Sequence, residues 1–349
     1  MEKQLSPSMF IGVEGDDLIS FGSGQPDLEP PKEVFDVLSK FKVFRYGLIQ
    51  GETKLREALV REYPNAKPEN FVITNGASEA LDLALRVIDK GKILLPKPYY
   101  YSYPHLVKFA GHTPVYTDLV KGRIDIEDFE NKVHDCKAVF INSPSNPTGR
   151  IESIKTLKEI EKITRDLNVY VLSDEVYKDL IYERENYLIS GDHVITVNSF
   201  SKTYAMCGLR VGYLWSSDVD FVGKVIEYKT HTSMNTNILG QEMAYAALNV
   251  DASYIKKQLK IWEERRDIIC SGLEELGFDL WKPEGAFYVF PKVPEPRKMM
   301  LELFEKYKVI TYLGDWFGDN ERIRLSYAID KEKILEGLKR IGKYLVQNN

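Results

Sequence analysis

From about Phe71 to Asn249 the chain alternates between two hydrophobic patterns. Short, almost wholly apolar runs rich in β-branched residues read as strands: Phe71–Thr74, Lys92–Leu95, Ala138–Asn142, Val169–Asp174, Val194–Asn198 and Leu209–Leu214. Helical periods lie between them. Ser78–Ile88 sets Ala80, Leu81, Ala84, Leu85 and Ile88 on one face, and Ser153–Asn168 is amphipathic. Strands that are apolar throughout are those buried on both sides. The pattern therefore predicts an α/β fold, a mostly parallel sheet with helices on both faces.

After Asn249 the character changes. Ala252–Leu276 reads as one long, highly charged helix of the kind that bridges two lobes. Gly285–Phe290 and Arg322–Ala328 are strand-like, and a helix from Asp330 turns Ile334, Leu335, Leu338, Ile341 and Leu345 inward. This divides the chain into a large domain over 33–249 and a smaller α+β domain over 250–349 and 1–32. The Pro/Gly-rich segment Ser6–Lys32 is expected to pack back onto the smaller one. A helix is also expected over Glu52–Glu62. No stretch reaches the roughly 18 apolar residues of a membrane span, and Met1–Phe10 has no apolar leader core.

Composition narrows the function. The 349 residues, 44% of them hydrophobic, suffice for a large core without disulfide or metal support. The net charge of −5 argues against sequence-independent nucleic-acid binding. Three cysteines with no C-x-x-C pair and five unclustered histidines predict no metal site and a reducing, cytoplasmic setting.

In an open parallel sheet, ligands sit at the carboxyl ends of the strands, so the residues that follow each strand carry the chemistry. Phe71–Thr74 runs into Asn75-Gly-Ala77-Ser78, small residues opening a helix, which suits a phosphate or else a plain N-cap at Ser78. Ala138–Asn142 runs into Ser143-Pro-Ser-Asn146-Pro-Thr-Gly149, a rigid loop that aims a side chain or merely turns. Asp174 ends its strand as a carboxylate facing the crevice, suited to a base, a cationic ligand or, least well, a metal. Lys202 follows Val194–Asn198. Desolvation there would free its amine as a nucleophile for a carbonyl. Ser199, Ser201 and Arg210 around it look like a phosphate cradle.

The run Ser199-x-Ser-Lys202 with Arg210 resembles the lysine region of the class I/II pyridoxal-phosphate aminotransferases of fold type I. The order of Gly24-Gln-Pro, Tyr46, Gly76-Ala-Ser, Pro98-Tyr-Tyr, Asn146-Pro-Thr-Gly, Asp174-x-x-Tyr177 and Arg324-Leu-Ser-Tyr-Ala matches as well. The resemblance covers about Ile19 to the end and is nearest to the aspartate/aromatic and histidinol-phosphate branches. It implies a large domain with a mostly parallel seven-stranded sheet plus a smaller α+β domain. It also implies ping-pong transfer of an amino group from an L-amino acid to a 2-oxo acid.

By resemblance, Lys202 would form the Schiff base with pyridoxal 5′-phosphate and shuttle the substrate proton. Asp174 would pair with the pyridine nitrogen, and Asn146 and Tyr177 would bond the ring oxygen. Ala77, Ser78, Ser199 and Arg210 would hold the phosphate, with Tyr100 stacked on the ring. Tyr46 would reach the phosphate of a neighbouring subunit, implying a homodimer with shared sites. Arg324 would clamp the substrate α-carboxylate, with Gly24 and Asn146 lining the same site.

The sequence also departs from the pattern. Ala77 stands where many relatives have glycine, which an α-helical backbone tolerates. Tyr100 replaces a tryptophan, the arm before Phe21 is short, and no arginine is evident for a second substrate carboxylate. Of the run Tyr99-Tyr100-Tyr101-Ser-Tyr103, one functional ring with core neighbours is expected. Cys207 is expected to be a packing residue and His105 a surface one. Two rival functions share many of these features. A decarboxylase or lyase would use the same lysine, aspartate and phosphate site. A ligand-sensing regulator would need an added DNA-binding domain of about 60–70 residues, for which there is no room.

Overall fold

The structure is a computed structural model that describes residues 6–348 except 11, 14 and 184. The reading of Met1–Phe10 as leader-free falls partly outside that set. The main sheet has eight strands. From one edge their order is Phe71–Thr74, Gly212–Trp215, Val194–Ser199, Tyr170–Asp174, Cys136–Asn142, Lys92–Lys97, Thr113–Val120 and Arg123–Ile124. Seven strands were expected, and the eighth is a two-residue hairpin return at the edge. Gly212–Trp215 runs antiparallel to both neighbours, and the central strands are parallel.

Alternation within the apolar strands explains why both faces are covered. Phe140, Leu172 and Ile195 join Leu81, Leu85 and Val225 on one face. Val139, Ile141 and Val171 point the other way, onto Phe129, Leu157 and Ile160.

Three sequence readings shift. The strand expected from Leu209 begins at Gly212, because Arg210 takes a left-handed conformation with φ of +54° that stops extension. In the last helix, Lys331–Asn348, Leu335 faces solvent while Tyr344 is buried. The helix expected over Glu52–Glu62 is α-helical only over Thr53–Leu59, closing with a 3-10 turn at Val60–Glu62.

The second core joins the chain ends. Ile19–Ser20 pairs in parallel with Val309–Ile310, and Phe21 packs with Trp262, Ile269, Leu273, Ile334 and Ile341. Tyr288–Val289, Ile323–Ser326 and Tyr312–Leu313 form a small antiparallel sheet beside it. The charge of helix Ser253–Glu275 is partly turned inward: buried Arg265 grips Asp27 through two hydrogen bonds of 2.6 and 3.1 Å. Among the described residues, no helix is long and apolar enough to cross a membrane.

Candidate active site

Register brings the carboxyl ends of the central strands level, with Asn142 opposite Asp174 and Asp174 opposite Val197. Beyond these ends lies a cavity of about 330 Å³. It is lined by Gly24, Ala77, Ser78, Tyr100, Asn146, Asp174, Tyr177, Ser199, Lys202, Arg210 and Arg324. Every residue singled out from sequence is therefore gathered there except Tyr46, which is 80% exposed and lies outside the cavity.

Each side chain has a local cause. Ser199 caps the short helix Phe200–Thr203 by accepting the Ser201 N–H at 3.0 Å, which sets Lys202 in the first turn past the strand. The half-buried Lys202 amine donates to the Gly24 carbonyl at 2.7 Å. Gly24 is glycine because a Cβ there would sit 2.2 Å from the Tyr288 hydroxyl. Helix Gly76–Val87 begins without a side-chain cap from Asn75, which leaves its positive end to an anion. Ser78 lies inside that helix and does not cap it. Gly76 takes φ of +75° and Ala77 does not share it, so alanine is accommodated. A Cβ on Gly76 would lie 2.7 Å from Arg210 Nη2, so guanidinium and helix end face the same spot.

Asn146 sits in a loop with cis bonds before Pro144 and Pro147, latched by its own N–H to Asn142 Oδ1 at 2.9 Å. Its Oδ1 accepts from Arg324 Nη1 at 3.0 Å. Arg324 is buried, and its guanidinium lies 4.5 to 4.9 Å from the rings of Tyr288, Tyr312 and Phe317. Among the described residues it has no ion-pair partner, and its buried Nε–H bonds to nothing. The Tyr177 and Tyr288 hydroxyls share a 2.8 Å bond.

Asp174 is buried and accepts from the Tyr103 hydroxyl at 2.6 Å and from the Val176 N–H at 3.3 Å. Burial pushes its carboxyl up to about 6, against the pull of these donors and of Lys202. Sequence reasoning missed Tyr101 and Tyr103 as cavity residues, having allowed one functional ring in the run Tyr99–Tyr103, and missed Tyr288, which it read only as part of a strand. A buried carboxylate requires donors, and a tyrosine one helical turn from Tyr100 was the available signal. Cys207 lines the wall, its thiol donating to the Ser201 carbonyl at 3.0 Å, and His105 is exposed.

Next in sequence to Asp174, Glu175 is buried on Tyr63, Ser173 and Thr196, and burial lifts its carboxyl to about 7 despite nearby Lys178. Both carboxyls hold a proton more tightly folded than unfolded, where ordinary values lie near 4. Their stabilising share is full below about pH 4 and is lost as pH rises through 6 to 7. Glu175→Gln should therefore flatten the fall in Tm between pH 5 and 8, checked by melting curves across that range. An unchanged slope would locate the pH dependence elsewhere.

The profile of the family described as aminotransferase class I and II matches residues 16–341. A probable aspartate aminotransferase of Methanocaldococcus jannaschii is 34% identical over 96% of this chain and 96% of its own. The crystal structure of an aspartate aminotransferase from Thermotoga maritima superposes with a TM-score of 0.91 at 32% identity, covering 99% of this chain and 98% of that one. An aromatic aminotransferase from Pyrococcus horikoshii does so with a TM-score of 0.90 at 29% identity, covering 98% and 99%.

Proposed function

The chain belongs to the class I and II aminotransferases, and from that premise we propose that the cavity around Lys202 binds pyridoxal 5′-phosphate and transfers an amino group from an L-amino acid to a 2-oxo acid. The observation that carries this is the meeting, in one cavity, of a lysine amine, a buried carboxylate, the Arg210 guanidinium at a helix N-terminus and the Arg324 guanidinium on the opposite lobe's strand. The donor set fits the cofactor. Asp174 is a desolvated carboxylate suited to a protonated ring nitrogen, and the Arg210 guanidinium beside the helix end suits a phosphate.

When bound, the cofactor supplies an aldehyde that exchanges amine partners and a protonated ring that draws electrons from the substrate. The protein's own groups do the rest. Ala77, Ser78, Ser199 and Arg210 hold the phosphate, and Tyr100 covers the ring. Asn146 and Tyr177 offer hydrogen bonds to the ring oxygen, and Asp174 holds the ring nitrogen's proton. Arg324 fixes the α-carboxylate beside the Gly24 backbone, and the Lys202 amine moves a proton at the substrate Cα. A donor amino acid leaves as a 2-oxo acid, and an acceptor 2-oxo acid then takes up the amino group. A decarboxylase or lyase on the same scaffold is not favoured, since the named relatives are aminotransferases. Incubation with a panel of amino acids and 2-oxoglutarate should yield glutamate with at least one donor. No glutamate from any donor, with 2-oxo-acid acceptors varied, would overturn the reading.

The division into a cofactor-binding body over 33–249 and a smaller lobe from both chain ends rests on the core that joins Ile19 and Phe21 to Trp262, Ile334 and Ile341, on which Val176, Tyr177 and Leu180 of the larger body also pack. The cytosolic setting rests on the sparse, unpaired cysteines. The second copy is supported by an apolar strip around Tyr46: Phe35, Leu38, Val43, Phe44 and Leu48 are all exposed, Phe44 by 90%. If Tyr46 completes the partner's phosphate site, mixed Lys202→Ala and Tyr46→Phe protomers form heterodimers with one site free of both defects. Activity should then rise above either parent after subunit exchange. A simple average, or a monomer in sedimentation, would refute the shared site.

A further inference from the structure

Lys229 is fully buried, yet no role given above uses it. It lies in helix Val219–Thr230, and its amine donates to both Glu79 carboxylate oxygens at 3.2 and 3.0 Å and to Ser233 Oγ at 3.0 Å. Lysine is almost never buried without a partner. The partner here is unusual in its place. Glu79 is in the first turn of helix Gly76–Val87, directly after Ala77 and Ser78, and its other interaction is with the Asn75 N–H at the helix start. An acidic side chain in a first turn is ordinarily favoured by the helix dipole. In this turn its negative charge stands beside the helix end to which the phosphate is assigned above.

We propose that Lys229 is a positioning residue for phosphate affinity: it holds Glu79 against the Asn75 N–H and cancels its charge, so that the turn accepts a dianion. The inference rests on the reading of this turn as the phosphate site. Lys229 needs no contact with the ligand, since a charge acts across a poorly solvated interior. Ser233 ties the same amine to the segment after helix Val219–Thr230 and keeps it from following the ligand.

Two single substitutions then act with opposite sign. Lys229→Met leaves the Glu79 charge uncancelled in the turn that would hold the phosphate and should weaken binding roughly tenfold. Glu79→Gln keeps an acceptor for the Asn75 N–H, leaves the lysine charge uncancelled and should tighten binding several-fold. The double variant should return close to wild type. The test is a spectrophotometric titration of the cofactor-free full chain with pyridoxal 5′-phosphate and, in parallel, with pyridoxal, which lacks the phosphate. The ratio of the two dissociation constants should move in opposite directions in the single variants and be restored in the double. Equal losses on both ligands in Lys229→Met, or a double variant as weak as that single one, would show a merely structural lysine. If Lys229→Met does not fold, Glu79→Gln and the double variant still decide: an unchanged ratio in Glu79→Gln overturns the proposal. A wild type that does not prefer the phosphorylated ligand overturns the phosphate reading itself, whereas a wild-type preference unmoved in the variants overturns only the role of Lys229.

Discussion

Lys202→Ala should leave a folded protein without measurable turnover. General acid–base work alone is worth roughly 10²–10⁴-fold, and this amine is also the group placed to carry the cofactor, so the loss should exceed that range. The fold should survive. Lys202 is half-buried, and among the described residues its amine makes one hydrogen bond, to the Gly24 carbonyl, which opens onto the cavity once the amine is gone. Such a bond is worth about 1 kcal/mol, so Tm should move by only a few degrees. Borohydride treatment of the wild type with pyridoxal 5′-phosphate should fix label on one peptide, the one containing Lys202. Label on another lysine, or turnover retained in the variant, would sink the assignment.

Arg324→Leu should cost roughly 30-fold to several thousand-fold in kcat/KM for substrates with an α-carboxylate, the equivalent of the 2–5 kcal/mol for removing one partner of a buried charge pair. The guanidinium is boxed by Tyr288, Tyr312 and Phe317, with Nη1 on Asn146 Oδ1 and Nη2 on the Gly22 carbonyl. These neutral acceptors orient the fork without neutralising it. A buried cation is costly without a counter-charge, so the site is disposed to a carboxylate. Leucine fits among the rings, which keeps the test on recognition and off stability. The decisive comparison is an amino acid against its decarboxylated amine in half-reactions. Loss confined to the amino acid supports the clamp, and equal loss on both would make Arg324 structural. Arg324→Lys should fall between, since it keeps the charge and loses the planar fork.

Much of the site was legible because its residues follow strand ends in sequence. A buried parallel strand announces itself by an unbroken apolar run, and whatever comes next must lie at the sheet's edge. Asp174, Asn146, Lys202 and the Gly76-Ala77-Ser78 turn were found in this way, and the order of motifs tied them to one family. Strand Thr113–Val120, next to the two-residue edge strand, went unread because its exposed and half-buried positions break the apolar run. Helix faces were read less well at the ends. Leu335 satisfies the apolar period yet lies half-exposed, whereas Tyr344, about half a revolution further round the same helix, is buried in the second core.

The sequence by itself determined the alternation of strands and helices, the strand ends that carry chemistry and the residue types placed there, because these follow from periods of two and 3.6 and from neighbours along the chain. Only the tertiary structure decided which groups meet. Tyr103 and Asp174 are 71 positions apart, Tyr177 and Tyr288 are 111, and Asn146 and Arg324 are 178. Lys229 reaches Glu79 across 150. No local period encodes such pairings. They arise when strand order and lobe packing bury polar atoms together, and each buried atom must then find its partner in whatever chain segment the fold has brought beside it.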